Sequence, residues 1–386
     1  MSTYVDIHVI QSLPPSCINR DDSGSPKSAV YGSVRRLRVS SQSWKRAVRL
    51  YFKNHLNTSN LGTRTKHLAQ IIATQIGEID SGLSETALTL AIKAINAAAD
   101  KNKKIIAVDN KGNFKKESTP LFFASPEQVR RTAELVVTSQ QTGKRLSKKE
   151  VQQTLSAQSG IDIALFGRMV ASTPVLNVDA ACQVAHAIST HAAENEYDFF
   201  TAVDDEKSRS EEEDAGAGMM GTVEFSSATM YRYATVNLDM LVENLGDDEA
   251  ALRALEVFIK GFCLSMPTGK QNTFANRTLP EAVVVSVRDD QPVSLIGAFE
   301  KPIRTNEADG YLARSVEALA EHARAIEDNY GLKPLAGFVV ALKGGDILVP
   351  EGPDAPAPLG ERVSFADLPG RVLEVVSPRV GREERA

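Results

Sequence analysis

Basic side chains are concentrated on one face of a predicted helix near the start of the sequence. Residues 34–56 read VRRLRVSSQSWKRAVRLYFKNHL. Trp44, Val48 and Phe52 recur at helical spacing and predict a buried apolar stripe. On the other side of the helix, at spacings of three and four, lie Gln42, Lys45, Arg46, Arg49 and Lys53. The pattern predicts one face for a hydrophobic core and one face for an anion.

A phosphate group fits this pattern well. Three arginines precede the helix, and no carboxylate lies between Asp22 and Glu78 in the sequence. Ser40 or Ser41 is expected to cap the helix, which places free N–H groups and the positive end of the helix dipole beside the cations. Cations that hold phosphates bind nucleic acid irrespective of its sequence. The alternative interpretation is a charged face that is only hydrated.

The charge of the chain is unevenly distributed. The 386 residues carry a formal net charge of −5, yet residues 1–60 hold nine basic and three acidic groups. Residues 196–214 hold nine acidic and two basic groups. Such blocks favour a polyanion on one surface and an acidic loop elsewhere. A lysine-rich stretch, 101–116, is expected to form an exposed loop or hairpin.

Composition indicates an ordinary globular protein. Apolar residues make up 42% and charged residues 24% of the chain, as in typical folded domains. The three cysteines lie far apart in no metal-ligand spacing, which predicts reduced thiols and a cytoplasmic location. No apolar run reaches membrane length, so no membrane partner is expected. No metal, nucleotide or hydrolase signature is present, which predicts a binding protein without cofactor, metal or catalytic residues.

Strands and helices alternate without the regular rhythm of a doubly wound sheet, which favours an α+β fold. Strands are predicted at 4–11, 34–39, 160–169, 197–203, 222–238, 281–287 and 335–342. Helices are predicted at 41–56, 63–77, 84–99, 126–139, 147–157, 176–191, 247–265, 307–329 and 366–376. The segment 14–32 is expected to be a long loop, and 204–221 the mobile tip of a hairpin.

Several colinear motifs resemble one known family. They are SCINRDD at 16–22, RRLRVSSQSWKRA at 35–47, GIDIALFGRM at 160–169, AHAISTH at 185–191, DFFTAVDD at 198–205 and EFSSATMYRYATVNL at 224–238. Together they closely resemble the CasC family, the backbone subunits of the type I-E CRISPR surveillance complex Cascade. The resemblance covers most of the chain up to residue 275 and is weaker beyond it.

The resemblance implies an architecture like a right hand. A palm with a modified RNA-recognition-motif fold, which is ferredoxin-like, would occupy residues 1–58 and 177–386. Inserted helical fingers would occupy 59–176, and a β-hairpin thumb 194–224. Copies of the chain would assemble along one CRISPR RNA with other Cascade subunits. They would displace a nucleotide at regular intervals and present the guide for pairing with target DNA.

The resemblance also implies roles for individual residues. Polar and basic groups of the palm would hold guide phosphates, two methionines would flank the displaced nucleotide, and two thumb residues would lie near the RNA. The predicted RNA-binding set is Arg20, Lys27, Ser40, Gln42, Lys45, Arg46, Arg49, Arg168, Met169, Thr201, Val203 and Met220. Contact with the adjacent subunit is expected at Phe199 and Phe200. A lysine cluster that attracts duplex DNA is expected at Lys144, Lys148 and Lys149.

Other functions remain open on the sequence. A repeat-associated RNA-processing endonuclease would use His186 or His191 as a general base, although neither has a lysine or tyrosine beside it on a glycine-rich loop. A nonspecific single-strand binder would use the same basic face without regular filament spacing. The thumb tip is longer and more acidic than in the family, which leaves the wedge residue open between Met219 and Met220.

Overall fold

The chain folds into two compact units. The computed structural model describes residues 2–100, 104–106, 121–202, 219–305, 310–342, 345–352, 355 and 358–380. Unit 1 comprises Met1–Val48, Val184–Thr235 and Phe258–Pro378, and unit 2 comprises Arg49–Gln183, Val236–Val257 and Arg379–Ala386. Most of the lysine-rich stretch, Val203 and the acidic segment 206–214 lie outside the described residues. The palm, fingers and thumb boundaries remain predictions.

The strands confirm a mixed α+β fold with one large sheet. They are β1 (Tyr4–Ser16), β2 (Ser28–Tyr31), β3 (Val34–Val39), β4 (Thr63–Thr65), β5 (Phe122–Ala124), β6 (Cys182–Val184), β7 (Ala187–Ser189), β8 (Glu196–Ala202), β9 (Met219–Asn237), β10 (Ala282–Arg288), β11 (Ala336–Ala341) and β12 (Glu361–Arg362). The large sheet runs in the order β12-β11-β10-β1-β9-β7-β3-β2, and β8 pairs with β9 as a hairpin. The pair β11–β12 is parallel, whereas β1–β10, β10–β11, β2–β3 and β3–β7 are antiparallel.

Helices occur in both units and form much of unit 2. They are α1 (Ser41–His55), α2 (Leu68–Ile79), α3 (Ala87–Ala97), α4 (Pro126–Thr142), α5 (Lys148–Ser156), α6 (Ile161–Phe166), α7 (Leu238–Leu245), α8 (Asp248–Leu264), α9 (Gln271–Phe274), α10 (Gly310–Tyr330) and α11 (Leu368–Val376). Alanine and isoleucine side chains of α2 and α3 pack with valines of α4 and α5 into one core. Ser125 and Ser147 begin α4 and α5 with capping boxes, which satisfy first-turn N–H groups that have no partner within the helix.

Two sequence predictions of secondary structure are wrong. The segment 160–169, expected to be a strand, contains α6, whose residues are almost all buried. A short apolar run that is buried on all sides does not distinguish helix from strand. The segment 176–191, expected to be a helix, supplies β6 and β7, and β7 pairs with β3 and β9. Tertiary strand pairing therefore overrides local helix propensity there.

The expected loop at 14–32 is shorter than predicted. The first strand, β1, extends to Ser16, and β2 forms an edge of the sheet beside β3. The other predicted strands and helices are confirmed, with shifts of a few residues at their ends. Two parts differ: 63–65, the expected start of a helix, form β4, and 219–221, expected in the hairpin tip, belong to β9. Strand β10 is buried along its whole length, as expected for a continuous apolar run inside a sheet.

A buried arginine joins the sheet of unit 1 to the first turns of α1. The guanidinium of Arg232, on β9, lies 3.7 Å from the ring centroid of Trp44 and 4.6 Å from that of Phe262. It donates hydrogen bonds to the side-chain oxygen of Gln11 and to the carbonyl of Phe262. Burial lowers the pKa of Arg232 to about 9. Aromatic faces and neutral oxygens thus stabilise this buried cation.

A buried histidine lies on the neighbouring strand. Nδ1 of His8 is 3.0 Å from the hydroxyl of Tyr231, and its ring stacks on Tyr233 with centroids 5.1 Å apart. Burial, and to a lesser degree the charge of Arg288, lowers the pKa of His8 to about 3. The folded chain therefore keeps this imidazole neutral where the unfolded chain protonates it. Stability should be lost as the pH falls below about 6.5.

We expect Trp44→Ala to lower the free energy of unfolding by about 3 to 5 kcal/mol, because it leaves a cavity and removes the aromatic face from a buried guanidinium. Urea unfolding followed by circular dichroism measures the effect. Leu50→Ala, at an exposed position of the same helix, is the control and should change stability by about 0.5 kcal/mol or less. Equal destabilisation by the two substitutions would contradict this role of Trp44.

We expect His8→Gln to remove one component of acid sensitivity. Between pH 6 and pH 4 the unsubstituted chain should lose about 1.4 kcal/mol more unfolding free energy per pH unit than the variant, since only the histidine takes up an extra proton on unfolding. Urea unfolding at pH 7.5, 6, 5 and 4 measures both curves. Parallel curves over this range would show that His8 is not the proton acceptor.

Candidate nucleic-acid interface

Ser40 begins the helix that carries the predicted anion-binding face. Its hydroxyl accepts a hydrogen bond of 3.3 Å from the N–H of Ser43, so it acts as the expected cap. Ser40 is buried, and its own N–H donates to the side-chain oxygen of Asn19 at 2.9 Å. The N–H of Ser41 donates to His186. The prediction of free N–H groups is therefore wrong for these amides, which already have partners.

Asn19 brings two predicted cations to the start of α1. Its side-chain oxygen binds Ser40, and its carbonyl accepts the N–H of Lys27 at 2.9 Å. The N–H of Arg38 in turn donates to the carbonyl of Lys27 at 2.8 Å. Arg20 follows Asn19 directly. One asparagine thus ties the loop that bears Arg20 and Lys27 to the strand and helix that bear the other basic groups.

The basic cluster consists of Arg20, Lys27, Arg38 and Arg46, all in unit 1. Arg20 and Arg46 are exposed, as is the neighbouring Gln42, whereas Lys45 is half-buried. In the described part of the chain no ion pair involves a member of the basic cluster. These side chains therefore keep their charge available to an external anion.

Asp21, the carboxylate next to Arg20, is engaged inside its own loop. One of its oxygens accepts the N–H groups of Ser23 and Ser25, each at 3.0 Å, and the hydroxyl of Ser23 at 2.7 Å. These bonds, that of the Ser23 hydroxyl most, lower the pKa of Asp21. The acid shapes the loop and forms no salt bridge to Arg20 within the described residues.

Arg49 pairs with a carboxylate far away in the sequence. Its Nε donates to Asp162 at 2.9 Å, and its guanidinium lies 4.4 Å from the ring centroid of Phe123. The other oxygen of Asp162 accepts the N–H of Gly62 at 2.7 Å. Burial raises the pKa of Asp162, opposed by these two partners. Asp162 thus supplies, within unit 2, the carboxylate partner that the sequence near Arg49 does not contain.

Arg168 is a buried structural residue and does not fit its predicted RNA contact. Its guanidinium donates to the carbonyls of Leu176, Phe123 and Leu155 and to the side chain of Gln128, at 2.8 to 3.1 Å. Burial lowers its pKa to about 10. Every one of its nitrogens has an internal acceptor. The adjacent Met169, predicted to flank a nucleotide, is instead 78% exposed.

The hairpin of β8 and β9 carries exposed apolar side chains. Thr201 pairs with Met220 in the ladder, and both are exposed. Phe199 is 64% and Met220 66% exposed, whereas the ring of Phe200 covers Gly221 so closely that a Cβ there would come within 2.6 Å of it. Exposed apolar groups on a hairpin are typical of contact with a nucleobase or another chain.

The predicted lysine cluster of unit 2 is partly neutralised. Lys144 pairs with Glu150 at 2.8 Å, and Lys148 pairs with Asp100 at 2.7 Å. Lys149 is exposed and forms no ion pair in the described part of unit 2. The cluster therefore presents less positive charge than its sequence suggests, and its attraction of DNA remains a prediction.

The two histidines proposed as alternative general bases are engaged in hydrogen bonds. His191 accepts the N–H of Thr229 with Nε2 at 3.1 Å, lies 2.7 Å from the carbonyl of Ala192 with Nδ1, and stacks on Tyr311. Nδ1 of His186 accepts the N–H of Ser41 at 2.9 Å. Desolvation lowers the pKa of both imidazoles. His191 has no free ring nitrogen with which to abstract a proton.

Neither a metal centre nor a membrane helix is found in the described parts of the chain. No group of three histidine, cysteine, aspartate or glutamate side chains among the described residues is arranged to hold a metal ion. None of the helices in those ranges is long and apolar enough to cross a membrane. The three cysteines are buried and free, as the sequence predicts.

Comparison with known proteins identifies relatives along nearly the whole chain. A solved chain of a "CRISPR RNA-guided surveillance complex, pre-nicking" is 34% identical, with a TM-score of 0.80, over 96% of this chain and 99% of that chain. A chain of a second "CRISPR RNA-guided surveillance complex" is 28% identical, with a TM-score of 0.72 over the same shares. No curated protein matches the chain significantly.

The family model for CT1975-like proteins matches residues 5–349. This match spans most of the sequence and includes β1, the basic cluster and the β8–β9 hairpin. Together with a relative 34% identical over 96% of the chain, it confirms at the level of the family the resemblance seen in the sequence motifs. The chain therefore belongs to the CT1975-like protein family, whose solved relatives are parts of CRISPR RNA-guided surveillance complexes.

Proposed function

We propose that this protein is a non-catalytic backbone subunit of a type I-E Cascade complex that binds CRISPR RNA. The observation that carries the proposal is the link through Asn19, which gathers cations from a loop and a strand at the start of α1. Exposed Arg20, Arg46 and Gln42 can contact phosphates without reading bases. The related chains come from CRISPR RNA-guided complexes, which supports guide RNA as the ligand.

The proposed architecture has an RNA-recognition-motif palm, helical fingers and a β-hairpin thumb. Copies of the chain would assemble along the guide in the cytoplasm with other Cascade subunits and present the guide bases to target DNA. The exposed Phe199 on the hairpin suits contact with an adjacent copy, because aromatic side chains are enriched at protein interfaces. Lys149 would add a weak attraction for duplex DNA.

Exposed methionines are the proposed elements that displace a nucleotide. Met220 on the hairpin and Met169 in unit 2 each project a flexible apolar side chain. Such side chains can insert between stacked bases, at a cost that is offset by contact with the bent strand. The basic cluster would hold the strand, while the methionines would set the spacing of the displaced bases.

We expect Arg20→Gln with Arg46→Gln to weaken binding of unrelated RNA sequences by similar factors. The slope of log affinity against log salt should fall by about 1.4, since each phosphate that is no longer neutralised on a single strand lowers it by about 0.7. Fluorescence anisotropy at several salt concentrations measures both quantities.

The matched control is Arg253→Gln with Arg371→Gln, which removes the same charge from two exposed arginines that pair with glutamates. It should leave the salt slope unchanged. Equal slopes for the two double variants would remove the basic cluster from the RNA site. Cleavage of repeat RNA by the purified chain would refute the non-catalytic assignment and favour the endonuclease.

We expect Met220→Thr to spare RNA affinity and to abolish periodic base displacement, since threonine retains the strand but lacks the flexible apolar side chain. Chemical probing of guide RNA in the assembled complex measures the periodicity. Leu342→Thr, at another exposed apolar position, should preserve it. An undiminished periodic pattern in Met220→Thr would show that this side chain is not the wedge.

A further inference from the structure

His186 lies between β6 and β7, beside the first turn of α1. Its side chain is exposed, and its Nδ1 accepts the backbone N–H of Ser41 at 2.9 Å. A nitrogen that accepts a hydrogen bond carries no proton. The neutral imidazole must therefore carry its hydrogen on Nε2, where it acts as a donor. The structure thus defines the tautomer of this histidine.

The outer nitrogen of His186, Nε2, has no hydrogen-bond partner among the residues that the structure describes. The charged groups that act on the imidazole are Arg38 on β3 and Lys27 before β2, and both are cations. Partial desolvation, and to a lesser degree these two cations, lowers the pKa of His186. The imidazole therefore stays neutral near pH 7 and keeps its bond to Ser41.

We propose that His186 is a positioning residue for RNA, whose Nε2–H donates a hydrogen bond to a phosphodiester oxygen held by Lys27 and Arg38. This rests on the RNA-binding function proposed above. The two cations draw the phosphate by charge, while the imidazole, oriented by Ser41, supplies a donor in a defined direction. The same ring would link the RNA to the start of α1, because Nε2–H donates to the RNA phosphate while Nδ1 accepts the N–H of Ser41.

A neutral donor has a thermodynamic signature that differs from that of a cation. Removal of a lysine or arginine that binds a phosphate reduces the number of counterions released, so it lowers the salt slope. Removal of a neutral hydrogen bond weakens binding by a factor of about five but leaves the slope unchanged. Its contribution should also be constant between pH 7 and pH 8, since the imidazole is neutral there and takes up no proton.

Two substitutions separate the two nitrogens of the ring. His186→Asn can place an amide oxygen near the position of Nδ1 and keep an acceptor for Ser41, but it lacks the outer N–H. His186→Gln can place an amide N–H near the position of Nε2, but it lacks the inner acceptor. Both are tested in the full chain with a short unstructured RNA by anisotropy at several salt concentrations and at pH 6, 7 and 8. Thermal unfolding is recorded in parallel.

We expect His186→Asn to bind RNA about fivefold more weakly with an unchanged salt slope and unfolding midpoint. His186→Gln should retain affinity within about twofold while its unfolding midpoint falls. Equal affinity of His186→Asn and the unsubstituted chain would overturn the inference. A reduced salt slope of His186→Asn at pH 7 and pH 8 would show a cationic contact and overturn the neutral donor.

The proposed function can survive a failure of this inference. If His186→Asn binds normally while Arg20→Gln with Arg46→Gln loses affinity, the chain binds RNA without His186. If His186→Asn and the double variant Arg20→Gln with Arg46→Gln both bind RNA normally, the RNA site itself lies elsewhere. If His186→Gln binds weakly while His186→Asn binds normally, the ring acts only through the helix start, which also overturns the proposed contact.

Discussion

Burial of the Arg232 guanidinium against the indole of Trp44 is the interaction on which the arrangement of unit 1 depends. A buried cation is costly unless its nitrogens and its charge are satisfied. Here two aromatic faces, an amide oxygen and a backbone carbonyl serve in place of a carboxylate. The two oxygens accept from the terminal nitrogens, whereas Nε has no hydrogen-bond partner among the described residues. With Trp44 held against the sheet, the opposite face of α1 must point to solvent. The exposure of Gln42 and Arg46 follows from this packing.

Arg36, Arg168 and Arg232 are buried arginines whose guanidinium groups donate to internal acceptors. Arg36 bonds the carbonyls of Tyr31, Ser189, Phe299 and Glu300, and Arg168 and Arg232 are likewise buried among oxygens and aromatic rings. Each joins segments that are distant in the sequence, because one planar guanidinium can reach several acceptors. Such arginines increase the apparent positive charge of the sequence without adding to a binding surface. A binding surface for an anion would draw on cations without an internal ion pair, such as those of the basic cluster.

The start of α1 combines charge with directed hydrogen bonds. Ser40 and His186 accept hydrogen bonds from N–H groups of the first turn, so a phosphate at this place would meet side chains more than bare helix amides. Asn19 holds the loop of Arg20 and Lys27 to the same place through backbone bonds that do not depend on salt or pH. A polyanion can then be bound without any base being read, which suits the proposed binding of guide RNAs of different sequence.

The sequence alone determined the strongly periodic elements. The stripe of Trp44, Val48 and Phe52 predicts α1, and the unbroken apolar run of β10 predicts a buried strand, because local spacing decides which side chains share a face. It also pointed correctly to the family, through motifs spread along the chain. The short apolar run at 160–169 carried no such periodicity, so its helical state was decided by packing on all sides.

Only the tertiary structure decided which cations are available. Arg49 and Arg46 lie on one helix and are indistinguishable by spacing, yet Asp162 pairs with the first and no carboxylate in the described chain pairs with the second. The contact of His186 with Ser41 spans 145 residues. Acceptors and counter-charges come from distant segments, whereas sequence patterns report only neighbours, and this is why the elements could be predicted and the composition of the site could not.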